Sequence, residues 1–501
     1  MRIRPLRAAA VGLTAALVSA TASAAAASPG ASADTGQSSA SAAAAASVRE
    51  DFDGDGYQDL ATAAPGGAVG GQADAGYVVI TYGSASGPGP SSRTTVVSQN
   101  TAGVPDTAES GDRFGGALTA RDLDGDGLTD LAVSSPGESE VEWSTPGSVT
   151  VLWGRAGGLT GEGAAAIALP EGSTGGAIGR DLAGGDFNGD GRSDLVMQNG
   201  NDWETRTVLF GPFARSGAPA SRQDIDMFST DNDIFTLTAG DMTGDGIDDL
   251  ATFYAYENHA EGGKFWRGTA SGLSTTPTAL PSAAAAAVGD FDRDGKGDLA
   301  IRTVPNGITE DLPADFGTVK VLYGTASGPS TARTTTITQN TTGVPGTNER
   351  GDQFGARLDA GDANGDGYAD LAVGVPFEAI GSKAAAGAVV LLRGGSGGIS
   401  GTGAQAFHQD TAGIPGVAEA GDRFGGAVRL LDTDRNAKAD FAVGAPEENG
   451  TGAVWSLHGT SSGVTATGSA AFNPVDLGTP AQGARFGALF ANAIAPGLWE
   501  S

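Results

Sequence analysis

A chain of 501 residues is about three times the usual single-domain size, so it holds either several domains or one repeated architecture. Apolar residues make up 39% of it and it carries 82 Gly and 23 Pro, enough to bury a core that is dense in turns. Its formal charge of -30 repels phosphate backbones and anionic headgroups, which excludes nucleic acid as a partner; the lack of cysteine excludes disulfides and thiolate sites, and three histidines (His259, His408, His458) argue against a transition-metal centre.

The chain opens with Arg2, Arg4 and Arg7, an apolar run from Ala8 to Ala20, and Ala22-Ser23-Ala24. Basic, apolar and small-residue segments in that order predict a signal peptide over 1–24, too short to span a bilayer. The unpaired arginines favour general secretion, and no cysteine is available for lipid attachment. An Ala/Ser-rich flexible lead-in is expected over 25–46, and the mature protein is expected to be secreted, monomeric and free of a membrane anchor.

One pattern then recurs seven times, over 51–59, 122–130, 186–194, 241–249, 290–298, 362–370 and 432–440: D-x-[D/N/T]-x-[D/N]-[G/A]-x-x-D, followed by Leu or Phe. Calcium takes six to eight oxygens from a flexible loop, and side chains at positions 1, 3, 5 and 9 with a carbonyl at 7 supply them, while Gly at 6 permits the sharp turn. The expected ligands are Asp51, Asp53, Asp55, the Tyr57 carbonyl and Asp59 in loop one, and Asp122, Asp124, Asp126, Leu128 and Asp130 in loop two. They are Asp186, Asn188, Asp190, Arg192 and Asp194 in loop three, and Asp241, Thr243, Asp245, Ile247 and Asp249 in loop four. Loop five offers Asp290, Asp292, Asp294, Lys296 and Asp298, and loop six Asp362, Asn364, Asp366, Tyr368 and Asp370. In loop seven Asn436 and Ala437 replace the usual Asp-Gly, so Asp432, Asp434, Asn436 and Asp440 are expected to bind weakly or not at all. Six or seven Ca2+ ions follow. Plain Asp/Gly turns would not require the aspartate at position 9 each time, and an EF-hand would need Glu at position 12, where loops one and two have Thr62 and Val133.

Strand-like segments flank each loop. In the second repeat they run from Phe114 to Arg121, Leu131 to Ser135 and Ser148 to Trp153, with a fourth after a turn of the type Gly83-Ser84-Ala85-Ser86-Gly87. Seven such units predict an all-β, seven-bladed β-propeller of four-stranded antiparallel blades with calcium-binding loops, over 47–496. The small residues Gly115-Gly116-Ala117 and the Ala283 to Ala287 run suit inner strands at a crowded axis.

Phe114-Gly115, Phe354-Gly355 and Phe424-Gly425, each eight residues before its loop, with the later Ala64-Pro65, Val375-Pro376 and Ala445-Pro446, resemble FG-GAP repeats, the blades of the integrin α-subunit propeller. The resemblance covers nearly the whole mature chain and implies that the seven loops are calcium cages on the lower face. Repeats three to five depart from it, with Ile178-Gly179, Phe235 and the Ala283 run in place of Phe-Gly. No inserted adhesion domain, leg region or membrane segment is expected. The ring can close in two ways: Arg485-Phe486-Gly487 and the residues after it supply the first blade's inner strand, or Ser47 to Glu50 begin that blade.

No catalytic constellation stands out. Gly394-Gly395-Ser396-Gly397-Gly398 and Gly459-Thr460-Ser461-Ser462-Gly463 fit G-x-S-x-G but lie in turns that open no helix. The function expected is binding or adhesion toward an extracellular protein or glycan, with an extracellular hydrolase or lyase built on the propeller as the alternative. In the loops between second and third strands, Trp143, Trp203, Tyr254, Tyr256 and His259 offer flat apolar faces with polar edges for a ligand. Packing between blades is the competing role for Trp203 and Tyr254.

Overall fold

The computed structural model describes residues 50–138, 147–168, 178–198, 206–225, 233–256 and 259–493, all within one compact unit, Ser47–Ser501. The signal peptide and lead-in, Trp143, Trp203 and the side chain of Tyr256 lie outside the described ones.

Among the described residues the strands form seven four-stranded antiparallel sheets, each a blade of a propeller. Blade two is typical, running from its inner strand Leu118–Arg121 through Asp130–Ser135 and Ser148–Leu152 to the outer Ala165–Ala166. Second strands such as Asp130–Ser135, Asp370–Val375 and Asp440–Ala445 are buried at every residue. Both faces of a blade press on neighbouring blades, so these strands are short continuous apolar runs rather than alternating ones. Outer strands such as Thr94–Val97 and Thr334–Ile337 are only partly covered, and threonine dominates them. The core is continuous between blades: Val78 and Ile80 of blade one pack in one cluster with Leu118, Leu131 and Val133 of blade two.

The Phe-Gly pairs precede the inner strands instead of lying in them, so the strand expected from Phe114 begins at Leu118. Gly115 has φ +96°, and its N–H donates to the Ser134 carbonyl at 2.8 Å. A Cβ there would meet Val78 and Ala63 of blade one at 3.1 and 3.3 Å, so the turn needs glycine for both conformation and space. Phe114 is fully buried and its N–H donates to the Ala75 carbonyl of the preceding blade, which makes the pair an interblade rivet. Ile178-Gly179 forms an equivalent turn, in which Ile178 is buried and Gly179 N–H donates to the Gln198 carbonyl at 2.8 Å. Blades four and five lack the turn and have longer inner strands, Asp233–Gly240 and Ala283–Gly289, each broken by a register shift near its start.

Of the two closures left open by the sequence, the C-terminal one forms. Leu489–Phe490 pairs with the second strand of blade one (Thr62 with Phe490, Ala63 with Leu489), and Gly487 N–H donates to the Ala63 carbonyl. Asn492 then locks the junction: its Oδ1 accepts from Thr119 Oγ1, Ala120 N and Arg121 Nη1, and its Nδ2 donates to Glu50 Oε1 at 2.8 Å. Glu50 and Asp359 in turn hold the Arg429 guanidinium at 2.5 and 2.7 Å. Thr119, Arg121, Asp359, Arg429 and Asn492 line a polar cavity of about 250 Å³.

Candidate metal centres on one face of the ring

Six of the acidic loops join an inner strand to a second strand, loop one leads into the second strand Leu60–Ala64 of the blade whose inner strand is C-terminal, and all seven share one local geometry. The position 1 carboxylate caps the turn: one oxygen accepts the N–H of position 5, and the other accepts the N–H of position 6 at 2.8–3.0 Å. Position 6 takes positive φ in each loop, including Ala437 at +61°, so loop seven folds like the others despite lacking the glycine. In loops one to six the position 5 aspartate accepts the N–H of position 7 at 2.9–3.1 Å.

The aspartate at position 9 is almost wholly buried in every loop. One oxygen accepts the N–H of position 2, and the other accepts the N–H of the glycine that ends the third strand: Gly83, Gly154, Gly211, Gly268, Gly324, Gly394 or Gly459. Contrary to the expectation for plain turns, these turns do need the residue, because it clasps the third strand to the loop with or without an ion. The same bond puts the Gly-rich third-to-fourth turns on the loop face, as expected. Ser396 and Ser461 lie exposed on those turns, where no helix follows.

Burial makes these carboxylates reluctant to ionise. It pushes Asp59 up to about 8, Asp130, Asp194, Asp249 and Asp298 to about 7, and Asp370 to about 6, with other aspartates of the same loop adding to the rise. Carboxylate oxygens of Asp51, Asp53 and Asp59 lie within 4.8 Å of one another, as do those of Asp122, Asp124 and Asp130, and of Asp290, Asp292 and Asp294. Loops three, four and six have Asn188, Thr243 and Asn364 at position 3, which replaces one carboxylate by a neutral oxygen. Buried, mutually repelling, oxygen-only donors fit a hard divalent cation.

Cations of the chain itself already stand at several loops. Arg93 pairs with Asp53, Arg215 with Asp124 and Asp126 at 2.5 and 2.7 Å, Arg267 with Asp245 at 2.7 Å and Arg333 with Asp292 at 2.6 Å. Arg93 and Arg333 stack on Tyr82 and Tyr323, 3.4 and 4.1 Å from the ring centroids. These guanidiniums are about half exposed, so each pair adds little stability, though each lowers the loop's negative charge. Sequence reading missed them, although Arg93 and Arg333 follow Tyr82-Gly83 and Tyr323-Gly324 at nearly the same distance.

The loops also join one another. The position 8 N–H of one loop donates to the position 1 carbonyl of the loop before it: Thr129 to Asp51, Asp248 to Asp186, Gly297 to Asp241, Ala369 to Asp290, Ala439 to Asp362 and, across the closure, Gln58 to Asp432. The bonds run from 2.7 to 3.3 Å. The acidic loops are thus a nearly continuous hydrogen-bonded girdle around one face.

On the interblade linkers a second acidic motif recurs unpredicted. Gln99, Gln339 and Gln409 donate to Glu138, Glu378 and Glu448 at 2.5–2.8 Å, while Asp112, Asp352 and Asp422 accept the N–H of Glu109, Glu349 and Glu419. Each knot ties a linker to the end of a second strand. Its signal was present as Glu-x-x-Asp followed by Glu at a constant interval in three repeats.

The proposed aromatic arc is only partly visible. Tyr254 and His259 belong to paired strands, Asp249–Tyr256 and His259–Trp266, so both lie in the ladder rather than in the expected loop. The alternating Phe253-Tyr254-Ala255-Tyr256 run favours ladder over loop. Tyr254 is half-buried with the Lys264 ammonium 5.5 Å from its ring centroid, and His259 is exposed.

The FG-GAP repeat model matches residues 42–80 and 354–392, and the FG-GAP-like repeat model matches 122–197. The chain carries FG-GAP repeats. Integrin alpha-3 of Cricetulus griseus and of Mus musculus are each 36% identical to it over 85 residues, covering 17% of this chain and 7% of theirs. The chain therefore spans a small fraction of the curated relatives it matches. A solved structure, that of the Dos1 propeller, aligns over 76% of this chain and 77% of its own at 10% identity, with a TM-score of 0.37. The chain is a β-propeller that carries FG-GAP repeats and resembles the integrin α-subunit over a part of its length. No helix among the described residues is long and apolar enough to cross a membrane.

Proposed function

We propose that the mature chain is exported after cleavage of residues 1–24 and acts outside the cell as a calcium-held binding or adhesion module for a protein or glycan. The girdle of acidic loops carries this reading. Its buried carboxylates need positive charge, and a Ca2+ ion at each loop would supply it while bracing the bonds to neighbouring blades. Asp51, Asp53, Asp55, Asp59 and the Tyr57 carbonyl, with their counterparts in loops two to six, are the ligands; loop seven, with its different donor set, stands apart. The opposite face, bearing the second-to-third connections, is free of that duty and is left for a ligand. Trp143, Trp203, Tyr254, Tyr256 and His259 are its proposed contacts, by stacking on sugar rings or anchoring a protein partner. The test is a glycan array and an extracellular-protein panel probed with mature protein, in millimolar calcium and in chelator. Calcium-dependent binding lost in the Trp143→Ala, Tyr256→Ala double variant supports the reading. Turnover of a hydrolase substrate in the absence of any binding would overturn it.

A further inference from the structure

Loop seven departs from the others in a way that its sequence alone does not disclose. The residue before the clasping glycine is Tyr82, Trp153, Phe210, Arg267, Tyr323 and Arg393 in blades one to six. In blade seven it is His458, whose Nδ1 lies 3.7 Å from Asp440 Oδ1 and 3.9 Å from Asp434 Oδ2. The scarcity of histidine argues against a transition-metal centre, yet this histidine stands beside two loop carboxylates. His458 Nε2 lies 3.2 Å from the Gly468 carbonyl, and a proton on Nε2 makes that bond and leaves a lone pair on Nδ1 facing the two carboxylates. Nδ1 and the Asn436 Oδ1 are both buried without a hydrogen-bond partner.

We propose that blade seven is a nitrogen and oxygen site for a borderline transition ion of the zinc class, held by Asp434, Asp440 and His458. The proposal rests on the reading of the loops as cation sites and names a different ion for this one. Separations of 3.7 and 3.9 Å exceed the ~2.7–2.9 Å of charge-assisted hydrogen bonds. They are close to the roughly 3.3 Å between ligand atoms of a tetrahedral ion with bonds of about 2.0 Å. Calcium is disfavoured, since position 5 is the neutral Asn436, whose Nδ2 donates to Asp434 Oδ2 and to the Gly459 carbonyl. Imidazole nitrogen suits zinc, whereas calcium selects oxygen.

The experiment equilibrates untagged full-length chain with millimolar calcium and one equivalent of zinc, then counts both metals after gel filtration. Cobalt replaces zinc in a parallel sample for visible spectroscopy. The expected result is one zinc retained per chain and the d–d bands of tetrahedral cobalt. In His458→Phe, which copies Phe210 of blade three, zinc should bind on the order of a hundredfold more weakly while the calcium count stays unchanged. His458→Tyr, copying blades one and five, is the second variant should the first not fold. Zinc displaced by calcium in the wild type, or retained in the folded variants, overturns the proposal. Zinc bound with no calcium elsewhere would instead overturn the calcium reading and leave this one standing.

Discussion

Replacing Asp298 by Asn in loop five separates the clasp from the cage. Asp298 is fully buried and accepts Gly324 N–H at 2.8 Å and Phe291 N–H at 2.9 Å, one on each oxygen. Asparagine fills the same space but has one acceptor, so one N–H is left facing an NH2 group, at about 1–3 kcal/mol. With calcium present at ten times its dissociation constant, losing the ion removes about 1.4 kcal/mol more. Without calcium an opposing effect enters. Burial raises the Asp298 carboxyl from 3.8 to about 7, so full ionisation costs the ion-free fold roughly 4 kcal/mol, which the neutral amide escapes. Asp298→Asn should therefore destabilise the calcium-bound protein by about 3 kcal/mol and, in excess chelator at pH 8, match or exceed the wild type. A chain of this size shifts its melting point by only about 1 °C per kcal/mol, so denaturant midpoints are the better assay. Equal losses in calcium and in chelator would refute the reasoning and reduce the aspartate to a turn residue.

In chelator the wild type should grow less stable as pH rises from about 4 to 8. Asp59, Asp130, Asp194, Asp249, Asp298 and Asp370 have folded pKa values of about 6 to 8, above the ordinary 3.8, so their contribution is complete below 3.8 and is lost as pH passes the folded values; a flat denaturation profile would contradict this. Asp366→Ala should lose one bound calcium ion by elemental analysis, since Asp366 is position 5 of loop six; an unchanged count would remove that loop from the set. Phe490→Ala, at a fully buried position in the closing strand, should cost about 3–5 kcal/mol and raise amide exchange in Leu60–Ala64 while leaving Asp370–Val375 protected. Equal exchange in both strands would mean that closure is not local to blade one.

Local spacing revealed the propeller and its loops because each loop is a self-contained turn whose ligating and capping atoms lie within nine residues. What the sequence left open or hid was long-range. Leu489–Phe490 is a two-residue strand with no periodicity to read, and its identity depends on an unpaired edge more than four hundred residues earlier. Ile178-Gly179 looked like a defect because the aromatic was missing, yet the turn requires only a buried side chain and a glycine free to take positive φ. In blade four Tyr254 and Tyr256 lie in a ladder rather than in the expected loop, since nothing in the sequence marks how far a hairpin continues past its core.

The position 9 aspartate shows why spacing alone leaves metal content open. Its two oxygens satisfy backbone donors from different strands, a demand that selects aspartate whether or not an ion binds beside it. Selection for the clasp and selection for the cage leave the same letter in the sequence. Position 3 is the freer one, because there the hydrogen bond to the turn can be accepted equally well by an amide oxygen. Asn188 and Asn364 at position 3 retain the turn bond, each accepting the N–H of position 5 at 2.8–2.9 Å. Position 5 is stricter: an aspartate there accepts the N–H of position 7 in loops one to six, whereas the Asn436 Oδ1 of loop seven has no partner, and that one departure falls where an imidazole approaches the carboxylates.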